Sequence, residues 1–142
     1  MPHTGQYGWP NRGVASAVVS RGGARLAVAS IHLPQRAAHR QEHAQRAREL
    51  LAAYDTTHWL AAGDLNEPPP GPSWQAFGIA GLTDVAPDCG PTFPAERPTE
   101  RIDGILATKG VELVEHHVLE GAAVSRASDH RPLLAVVRLP QT

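Results

Sequence analysis

Two apolar runs near the start of the chain predict a β-hairpin. The runs Val14–Ser20 and Arg25–His32 are rich in Val and Ala, and Gly22-Gly23 lies in the short segment between them. A Gly-Gly pair between two such runs is typical of a tight turn that joins antiparallel strands. Apolar residues occupy both alternating faces of each run, so we expect both strands to be central and buried.

A helix is predicted next, because apolar residues then recur at spacings of three and four. The pattern extends from about Ala37 to Tyr54 and is carried by Ala44, Ala47, Leu51 and Tyr54. Most of the other positions are Arg, Glu, Gln or His. Such a narrow apolar stripe is typical of a helix that covers one face of a sheet.

The rest of the chain alternates short apolar runs with irregular segments. The proline-rich run Glu67–Pro72 cannot form a helix or a central strand. Ser73 is expected to be the N-cap of a short helix that ends near Phe77, and Asp84–Glu100 is expected to be irregular. The order of elements predicts an α/β layered domain. Four further strands are predicted, over His58–Gly63, Ile102–Leu106, Val111–Leu119 and Leu133–Leu139.

Composition and charge exclude several classes of protein. The 142 residues include 13 Lys and Arg, 14 Asp and Glu, and one cysteine, Cys89. A single cysteine excludes an intrachain disulfide framework and a thiolate zinc cluster. A net charge of −1 gives no long-range attraction for polyanions such as duplex DNA.

Targeting signals are also missing from the sequence pattern. No apolar run approaches the ~20 residues of a membrane span, and residues 1–12 lack the apolar core of a signal peptide. We therefore expect a soluble protein, cytoplasmic by default. Its organisation is expected to be an irregular segment at 1–12 followed by one domain at 13–142.

Polar residues follow the strand predicted at His58–Gly63. Asp64 and Asn66 are two positions apart, and alternate side chains of an extended chain point to the same face. A carboxylate and a carboxamide on one rim are suited to a hard cation and to the oxygens that it binds. The same residue types also favour a polar turn that merely caps a strand, so this alternative stays open.

A second polar cluster, Ser128–Arg131, precedes the last predicted strand. Asp129 and His130 are adjacent, so they cannot face the same way on a regular strand and are expected to lie in a loop. A carboxylate can ligate a metal ion while the neighbouring imidazole takes a proton from water. An ordinary charged surface loop is the alternative.

Two further polar residues belong to apolar strands. Asp103 lies within Ile102–Leu106, where an unpaired carboxylate would be costly. A histidine is a natural partner, because an Asp–His hydrogen bond fixes the tautomer of the imidazole; a salt bridge with Arg101 or Arg97 is the alternative. His32 ends the second strand and is either a core histidine or a donor to a phosphate oxygen.

Taken in order, these clusters resemble the motifs of the endonuclease/exonuclease/phosphatase superfamily, whose fold is shared by deoxyribonuclease I and exonuclease III. The resemblance extends from about Gly13 to Leu139. It implies a four-layer α/β sandwich of two packed sheets and the divalent-metal-dependent hydrolysis of a phosphoester. The motifs are HLP at 32–34, GDLNEPP at 63–69, RIDGIL at 101–106 and SDHRPLLA at 128–135.

The resemblance also implies a role for each of these polar residues. His130 would be the general base that deprotonates the attacking water, with Asp103 orienting its imidazole. Asp64 and Asn66 would hold that water and the scissile phosphoryl group. His32 would donate to a phosphate oxygen or assist the leaving group.

The implied cofactor is Mg²⁺ or Mn²⁺, ligated by Asp129 and Asp64. The family's Asn-containing first strand and its metal-ligating Glu are unmatched, because no acidic residue lies between Met1 and Glu42. Gly104 also occupies a position where an aromatic residue often follows the Asp. We therefore expect the C-terminal half of the family fold, with one sheet but not its partner. Such a chain is expected to need a missing N-terminal segment or self-association.

A rival motif lies on the predicted helix. The sequence His39–His43 (HRQEH) matches H-x-x-E-H, which supplies two zinc ligands and a base in inverted zincins. The spacing places both histidines on one face of the helix. No downstream helix offers a clear third carboxylate ligand, so a solvated helix face is favoured over a metal site.

Three hypotheses for the function follow, in this order of preference. They are an active phosphoester hydrolase, a catalytically impaired remnant of one, and a zinc peptidase. The motifs do not distinguish a nucleic acid, a lipid headgroup or an inositol phosphate as the substrate. A local anion site is expected from four arginines near the motifs, namely Arg97, Arg101, Arg126 and Arg131.

Overall fold

The computed structural model describes residues 12–139, which form two β-sheets and three helices. The irregular segment predicted at 1–12 lies outside the described residues, apart from Arg12. None of the helices within 12–139 is long and apolar enough to cross a membrane. In chain order the elements are β1 (Val14–Arg21), β2 (Ala24–His32), α1 (Ala37–Ala52), β3 (Trp59–Asp64), α2 (Pro72–Ile79), β4 (Leu82–Asp84), β5 (Asp103–Thr108), β6 (Glu112–Val118), α3 (Ala122–Ala127) and β7 (Leu133–Arg138).

The larger sheet has the strand order β1-β2-β3-β5-β4. Strands β2 and β3 are parallel, and the other neighbours are antiparallel. The predicted hairpin of β1 and β2 is confirmed. Gly22 and Gly23 have φ values of +57° and +86°, which a two-residue turn of this kind requires and which glycine adopts without steric cost.

The expectation that both hairpin strands are central holds for β2 and is wrong for β1. Strand β1 lies at the edge of the sheet, and Ala15, Ala17 and Val19 are exposed on one of its faces. The error has a physical reason. Short side chains such as Ala and Ser pack acceptably on a covered or an open face, so their alternation does not identify an edge strand.

Two helices cover one face of the larger sheet. Helix α1 buries Ala44, Ala47 and Leu51 in the core, together with the inward-facing residues of β2. This confirms the predicted apolar stripe. Helix α2 adds Trp74 and Phe77 to the same core, and the two helices together form one complete outer layer.

A second sheet, formed by β6 and β7, packs on the opposite face. Val137 and Leu139 contact a smaller core of Leu26, Ala107 and Val111. The layers are therefore helices, five-stranded sheet and two-stranded sheet. This confirms the predicted layered α/β sandwich, and it corrects the expectation of one sheet alone, because the last two strands belong to a second one.

Two short elements, β4 and α3, have no counterpart among the predicted ones. The prediction of Ser73 as an N-cap is wrong, because Gly71 is the N-cap of α2 and Pro72 is its first residue. Gly71 has no side chain that could cap the helix. The backbone N–H of Ser73 donates instead to Oε1 of Glu67, at 2.5 Å, so a carboxylate from the preceding loop takes the place of a local cap.

Candidate active site

The sheet register places three of the predicted site residues side by side. His32 lies opposite Asp64 in the β2–β3 pair, and Asp64 lies opposite Asp103 in the β3–β5 pair. Directly opposed residues share one face of a sheet. Here it is the face away from α1, because the neighbouring Ile31 is buried in the helix-covered core. The three side chains form a row across three strands at one end of the sheet.

His130 approaches this row from the loop before β7. Its Nδ1 lies 2.8 Å from Oδ2 of Asp103, and its Nε2 lies 3.9 Å from Oδ2 of Asp64. An ionised carboxylate only accepts hydrogen bonds, so Nδ1 donates and carries the proton of the neutral imidazole. Nε2 is then the nitrogen that can take up a proton, and it is the one nearer Asp64.

Asp64 and Asn66 are held together at the end of β3. The carboxylate of Asp64 accepts hydrogen bonds from the backbone N and the Nδ2 of Asn66, at 2.7 and 3.1 Å, and Nδ2 also donates to the carbonyl oxygen of Leu33 at 2.7 Å. Burial raises the pKa of Asp64; the hydrogen bond from Asn66 N opposes this, and the charge of Asp103 adds to it. The two side chains share one rim, but Asn66 lies beyond the end of β3 with a φ of +54°, so a turn, and not the predicted alternation of an extended chain, brings them together.

Gly63 is required where β3 reaches this rim. A Cβ at this position would lie 1.9 Å from the carbonyl oxygen of Ile31, and φ is +142°. An L-residue rarely adopts such a φ value. The glycine therefore permits the close approach of β2 and β3 that brings His32 next to Asp64.

His32 lies at the surface of the row and is not a core histidine. Its Nε2 is 3.3 Å from Oδ2 of Asp64, and its side chain is 47% exposed. An imidazole this open can reach a ligand that binds over the sheet end. The geometry therefore favours the second of the two alternatives left open by the sequence.

The surroundings shift the pKa values of the two histidines in opposite directions. Burial lowers the pKa of His130, but the hydrogen bond and charge of Asp103, with the other nearby carboxylates, outweigh burial and raise it. Burial and the charge of Arg12 lower the pKa of His32. Several perturbed groups within one cluster are typical of functional sites.

Sequence analysis missed Thr92, which lies in the irregular segment before β5. Its side chain is fully buried, and Oγ1 donates a 2.5 Å hydrogen bond to Oδ2 of Asp103. The same carboxylate oxygen thus accepts from Thr92 and from His130. No periodicity marks this threonine, because its role depends on how an irregular loop folds back over β5.

The loop at 92–95 also fixes the loop that carries His130. Ala95 N donates to the carbonyl oxygen of Asp129 at 2.7 Å, and Arg131 N donates to the carbonyl oxygen of Thr92 at 2.8 Å. The ring of Phe93 lies 4.9 Å from the imidazole of His130, centroid to centroid. These contacts fix the backbone on both sides of His130 and pack an aromatic ring near its imidazole.

The predicted metal ligands do not form a cluster in the described part of the chain. The side chain of Asp129 is exposed. Within residues 12–139, no group of three or more His, Cys, Asp or Glu residues is placed to hold a metal ion. Asp64 remains a hard oxygen donor at the rim, so the donors suit Mg²⁺ or Mn²⁺ in kind but are incomplete in number.

The predicted anion site is weakened by ion pairing. Arg101, which was also an alternative partner for Asp103, contacts the carboxylate of Asp84 instead. Arg131 contacts Glu120, with 2.6 Å between Nη1 and Oε1. Two of the four arginines are therefore neutralised by neighbouring carboxylates.

The H-x-x-E-H motif is not arranged as a metal site. On α1, His43 is buried, whereas Glu42 is exposed. Both lie within the described residues, where no metal-binding group is found. The zinc-peptidase hypothesis therefore gains no support from the geometry.

Trp74 explains why glycine follows Asp103. A Cβ on Gly104 would lie 2.3 Å from Cη2 of the Trp74 indole. The indole occupies the space over β5 where the family pattern leads one to expect an aromatic residue at 104. The Trp74 Nε1–H donates to the carbonyl oxygen of Glu67 at 2.9 Å, which fixes the ring in place.

Comparison with families and with curated proteins gives one match. A model of the Endonuclease/Exonuclease/phosphatase family matches residues 2–130. No curated protein matches the sequence significantly.

Solved structures share the fold at low sequence identity. An endonuclease/exonuclease/phosphatase from Beutenbergia cavernae has a TM-score of 0.69 and 24% identity, over 91% of this chain and 40% of that one. Its counterpart from Bacteroides vulgatus has a TM-score of 0.74 and 18% identity, over 92% and 56%. A mannosyl-6-phosphatase from Bacteroides thetaiotaomicron has a TM-score of 0.68 and 23% identity, over 83% and 53%. The chain thus spans about half, or less, of the length of these structures.

Proposed function

The chain belongs to the endonuclease/exonuclease/phosphatase family, and on that premise we propose that it hydrolyses a phosphoester with a water molecule activated by His130. The observation that carries this proposal is the 2.8 Å hydrogen bond between Nδ1 of His130 and Oδ2 of Asp103. It fixes the ring and its tautomer and leaves Nε2 as the base. The raised pKa of His130 gives this base a stronger affinity for the proton.

The attacking water is proposed to bind between His130 and Asp64. Two acceptors 3.9 Å apart can both be reached by one water molecule at the usual ~2.8 Å of an O–H hydrogen bond. The proton passes to Nε2 of His130, and Asp103 stabilises the imidazolium that results. The oxygen of the water then attacks phosphorus, and the ester oxygen leaves from the opposite side.

Two polar side chains beside Asp64 are proposed to contact the substrate. The Nδ2 group of Asn66 lies at the rim, where it donates hydrogen bonds to Leu33 O and to Asp64 Oδ2 in this structure. The exposed imidazole of His32 lies next to the same carboxylate. A ring N–H of His32 can donate to a phosphoryl oxygen or to the leaving group, which stabilises the negative charge that develops there.

The reaction is proposed to require Mg²⁺ or Mn²⁺, with Asp64 and Asp129 among the oxygen ligands. When bound, the ion would neutralise charge that develops on the phosphoryl oxygens. The described residues offer too few donors for a closed site, so we propose that further ligands come from outside residues 12–139. The part of the arrangement that does not involve a proposed metal ligand is the hydrogen-bonded pair of Asp103 and His130.

A small phosphoester is a better proposal for the substrate than duplex DNA. The net charge is −1, and Arg101 and Arg131 already contact carboxylates. Little positive potential is then left to attract a long polyanion. The similarity to a mannosyl-6-phosphatase is consistent with a compact substrate.

A further layer of structure is proposed to cover the second sheet. Leu134 and Val136 alternate along β7 and are 50% and 43% exposed, so one face of this sheet presents large apolar side chains. Such a face is typical of a surface that packs against another element. We propose that a further segment of the family fold, or a second copy of the chain, covers it.

Hydrolysis assays with a defined metal test the proposal. Bis-p-nitrophenyl phosphate, mannose 6-phosphate and a DNA duplex are compared in Mn²⁺, in Mg²⁺ and in EDTA. With whichever preparation is active, the chain alone or joined to a further segment of the family fold, we expect turnover of a small phosphoester that EDTA abolishes and that either metal restores. Restoration by Zn²⁺ alone, together with loss of activity in His39→Ala, would favour the zinc-peptidase site instead.

A further inference from the structure

We propose that the buried ion pair of Glu67 and Arg40 is a positioning device for the active site. The inference rests on the proposed function, because it assigns these residues to the same reaction. Neither side chain faces the row of site residues. Each acts through a loop that follows a strand of the row.

The first half of the argument is the set of contacts around Arg40 on α1. Its Nη2 lies 3.2 Å from Oε2 of Glu67, and the two side chains are only 11% and 10% exposed. Its Nη1 donates to the carbonyl oxygens of Pro34 and Gln35. These carbonyl groups belong to the loop directly after His32. One guanidinium therefore joins the loop after β2 to the loop after β3.

Glu67 is held as firmly as its partner. Its Oε1 accepts from Ser73 N at 2.5 Å, and its carbonyl oxygen accepts from the Trp74 indole at 2.9 Å. A Cβ on Gly71 would lie 2.7 Å from the carboxylate carbon of Glu67, so only glycine leaves room for this side chain. Glu67, which directly follows Asn66 in the chain, is thus joined to the start of α2.

The consequence for the site lies in the backbone of Asn66. Its φ is +54°, in the left-handed region, which asparagine adopts more readily than other non-glycine residues but still uncommonly. Such a conformation persists where the surrounding structure fixes it on both sides. The side chain of Asn66 is fixed because its Nδ2 donates to Leu33 O and to Asp64 Oδ2. The chain after Asn66 is fixed because the next residue, Glu67, is paired with Arg40.

Stability alone is a weak reason for such a pair. A buried ion pair often stabilises a fold no more than apolar side chains of similar volume, because both charges lose their hydration. A role in geometry explains why Arg40 contacts carbonyl groups from one loop and a carboxylate from the other. Small displacements of reacting groups are costly for the rate, since 1 Å of misplacement can cost about 10²-fold.

The test compares Glu67→Gln with two control variants. Glu112→Gln removes the carboxylate of an ion pair with the same 3.2 Å separation, Glu112–Arg138, whose side chains are exposed. Leu51→Ala destabilises the fully buried core under α1 at a position about three helical turns from Arg40. Turnover and KM are measured with bis-p-nitrophenyl phosphate in Mn²⁺, at a temperature well below the melting point of every variant.

We expect Glu67→Gln to lower kcat by about 10- to 100-fold and to change KM less than threefold. Leu51→Ala should lower the melting temperature at least as much as Glu67→Gln does, but it should keep kcat within twofold of the wild type. Glu112→Gln should also keep kcat within twofold of the wild type. Adding Arg40→Met to Glu67→Gln should cause no further fall, because the two residues act as one unit. A kcat for Glu67→Gln within twofold of the wild type would overturn the proposal.

A second readout does not depend on activity. In nuclear magnetic resonance spectra, the two Nδ2 protons of Asn66 should be well separated in the wild type and in Glu112→Gln, because each has its own acceptor. They should collapse towards the unstructured position in Glu67→Gln. If the wild type hydrolyses nothing, either alone or joined to a further segment of the family fold, the proposed function fails. An unchanged Asn66 signal in Glu67→Gln would separately refute the positioning role.

Discussion

Asp103 and His130 lie 27 positions apart in the chain and are joined by a 2.8 Å hydrogen bond at the end of the larger sheet. The carboxylate comes from the first residue of β5, and the imidazole comes from a loop. Because Thr92 donates to the same carboxylate oxygen, the acceptor is held by a second hydrogen bond besides that of His130. The pair therefore has the rigidity that an orienting carboxylate needs.

The charge of Asp103 should be visible in the titration of His130. In metal-free protein, His130 should titrate above the ordinary 6.5, because the hydrogen bond and charge of Asp103 outweigh burial and raise its pKa. Asp103→Asn removes that charge, so the pKa of His130 should fall. The measurement is a pH series of imidazole carbon–proton resonances.

Asp88→Asn is the control for this titration. It removes a carboxylate that lies 3.5 Å from another histidine, His116, and should leave the pKa of His130 as in the wild type. A pKa of His130 that is unchanged or higher in Asp103→Asn would contradict the role given to the carboxylate.

Thr92→Val should weaken both the fold and the reaction. The substitution removes the hydrogen bond that the buried Thr92 hydroxyl donates to Asp103. The loss should lower the free energy of unfolding by about 1–3 kcal/mol. Turnover should fall by less than about tenfold, because His130 keeps its own hydrogen bond. Thr92→Ser retains the hydroxyl group and should recover the turnover.

The matched control is Thr83→Val, at an exposed position on β4, which should change the unfolding free energy by less than about 0.5 kcal/mol. Turnover in Thr92→Val equal to that of the wild type would show that Asp103 does not need this donor.

Two glycine-to-alanine variants should have opposite effects on stability. Gly63→Ala should destabilise the protein by more than about 3 kcal/mol, because the new methyl group meets the Ile31 carbonyl oxygen and a backbone atom cannot move aside cheaply. Gly78→Ala, in α2 with no atom within 4 Å of the added Cβ, should stabilise it by about 0.5–1 kcal/mol. Urea unfolding measures both; equal midpoints would refute the close approach of β2 and β3.

Much of the fold could be predicted from the sequence because it depends on local patterns. The three- and four-residue spacing of Ala44, Ala47 and Leu51 identifies α1, and Gly22-Gly23 identifies the hairpin. The row of His32, Asp64 and Asp103 also follows from single positions at strand ends. Once the strands pair in register, with Gly63 allowing the close approach of β2 and β3, these residues lie side by side.

The features that escaped prediction depend on contacts between distant segments. Thr92 reaches Asp103 only because an irregular loop folds back over β5. The cap of α2 comes from Glu67, six positions before Ser73, where a local rule would choose Ser73 itself. The partner of Arg101 was open for the same reason, since Asp84 meets it only through the packing of β4 on β5.

The exposed apolar face of the sheet formed by β6 and β7 should make the protein self-associate. We expect the 142-residue protein to sediment as an oligomer with a broad thermal transition, because Leu134 and Val136 present apolar side chains to solvent. The double variant Leu134→Glu/Val136→Glu should shift it towards the monomer. Ile79→Glu, at an isolated position that is 80% exposed, should leave the sedimentation unchanged. A wild-type monomer with a sharp cooperative melt would contradict this expectation.

The most direct test of the whole account is the turnover number of His130→Ala. It is measured with bis-p-nitrophenyl phosphate in Mn²⁺, on whichever preparation is active, alone or joined to a further segment of the family fold. His117→Ala, which removes an exposed histidine on β6, is the matched control. The account predicts a fall of about 10²–10⁴-fold for His130→Ala, the usual contribution of a positioned general base, and turnover within twofold of the wild type for the control. Near-full activity in His130→Ala would contradict the proposed mechanism.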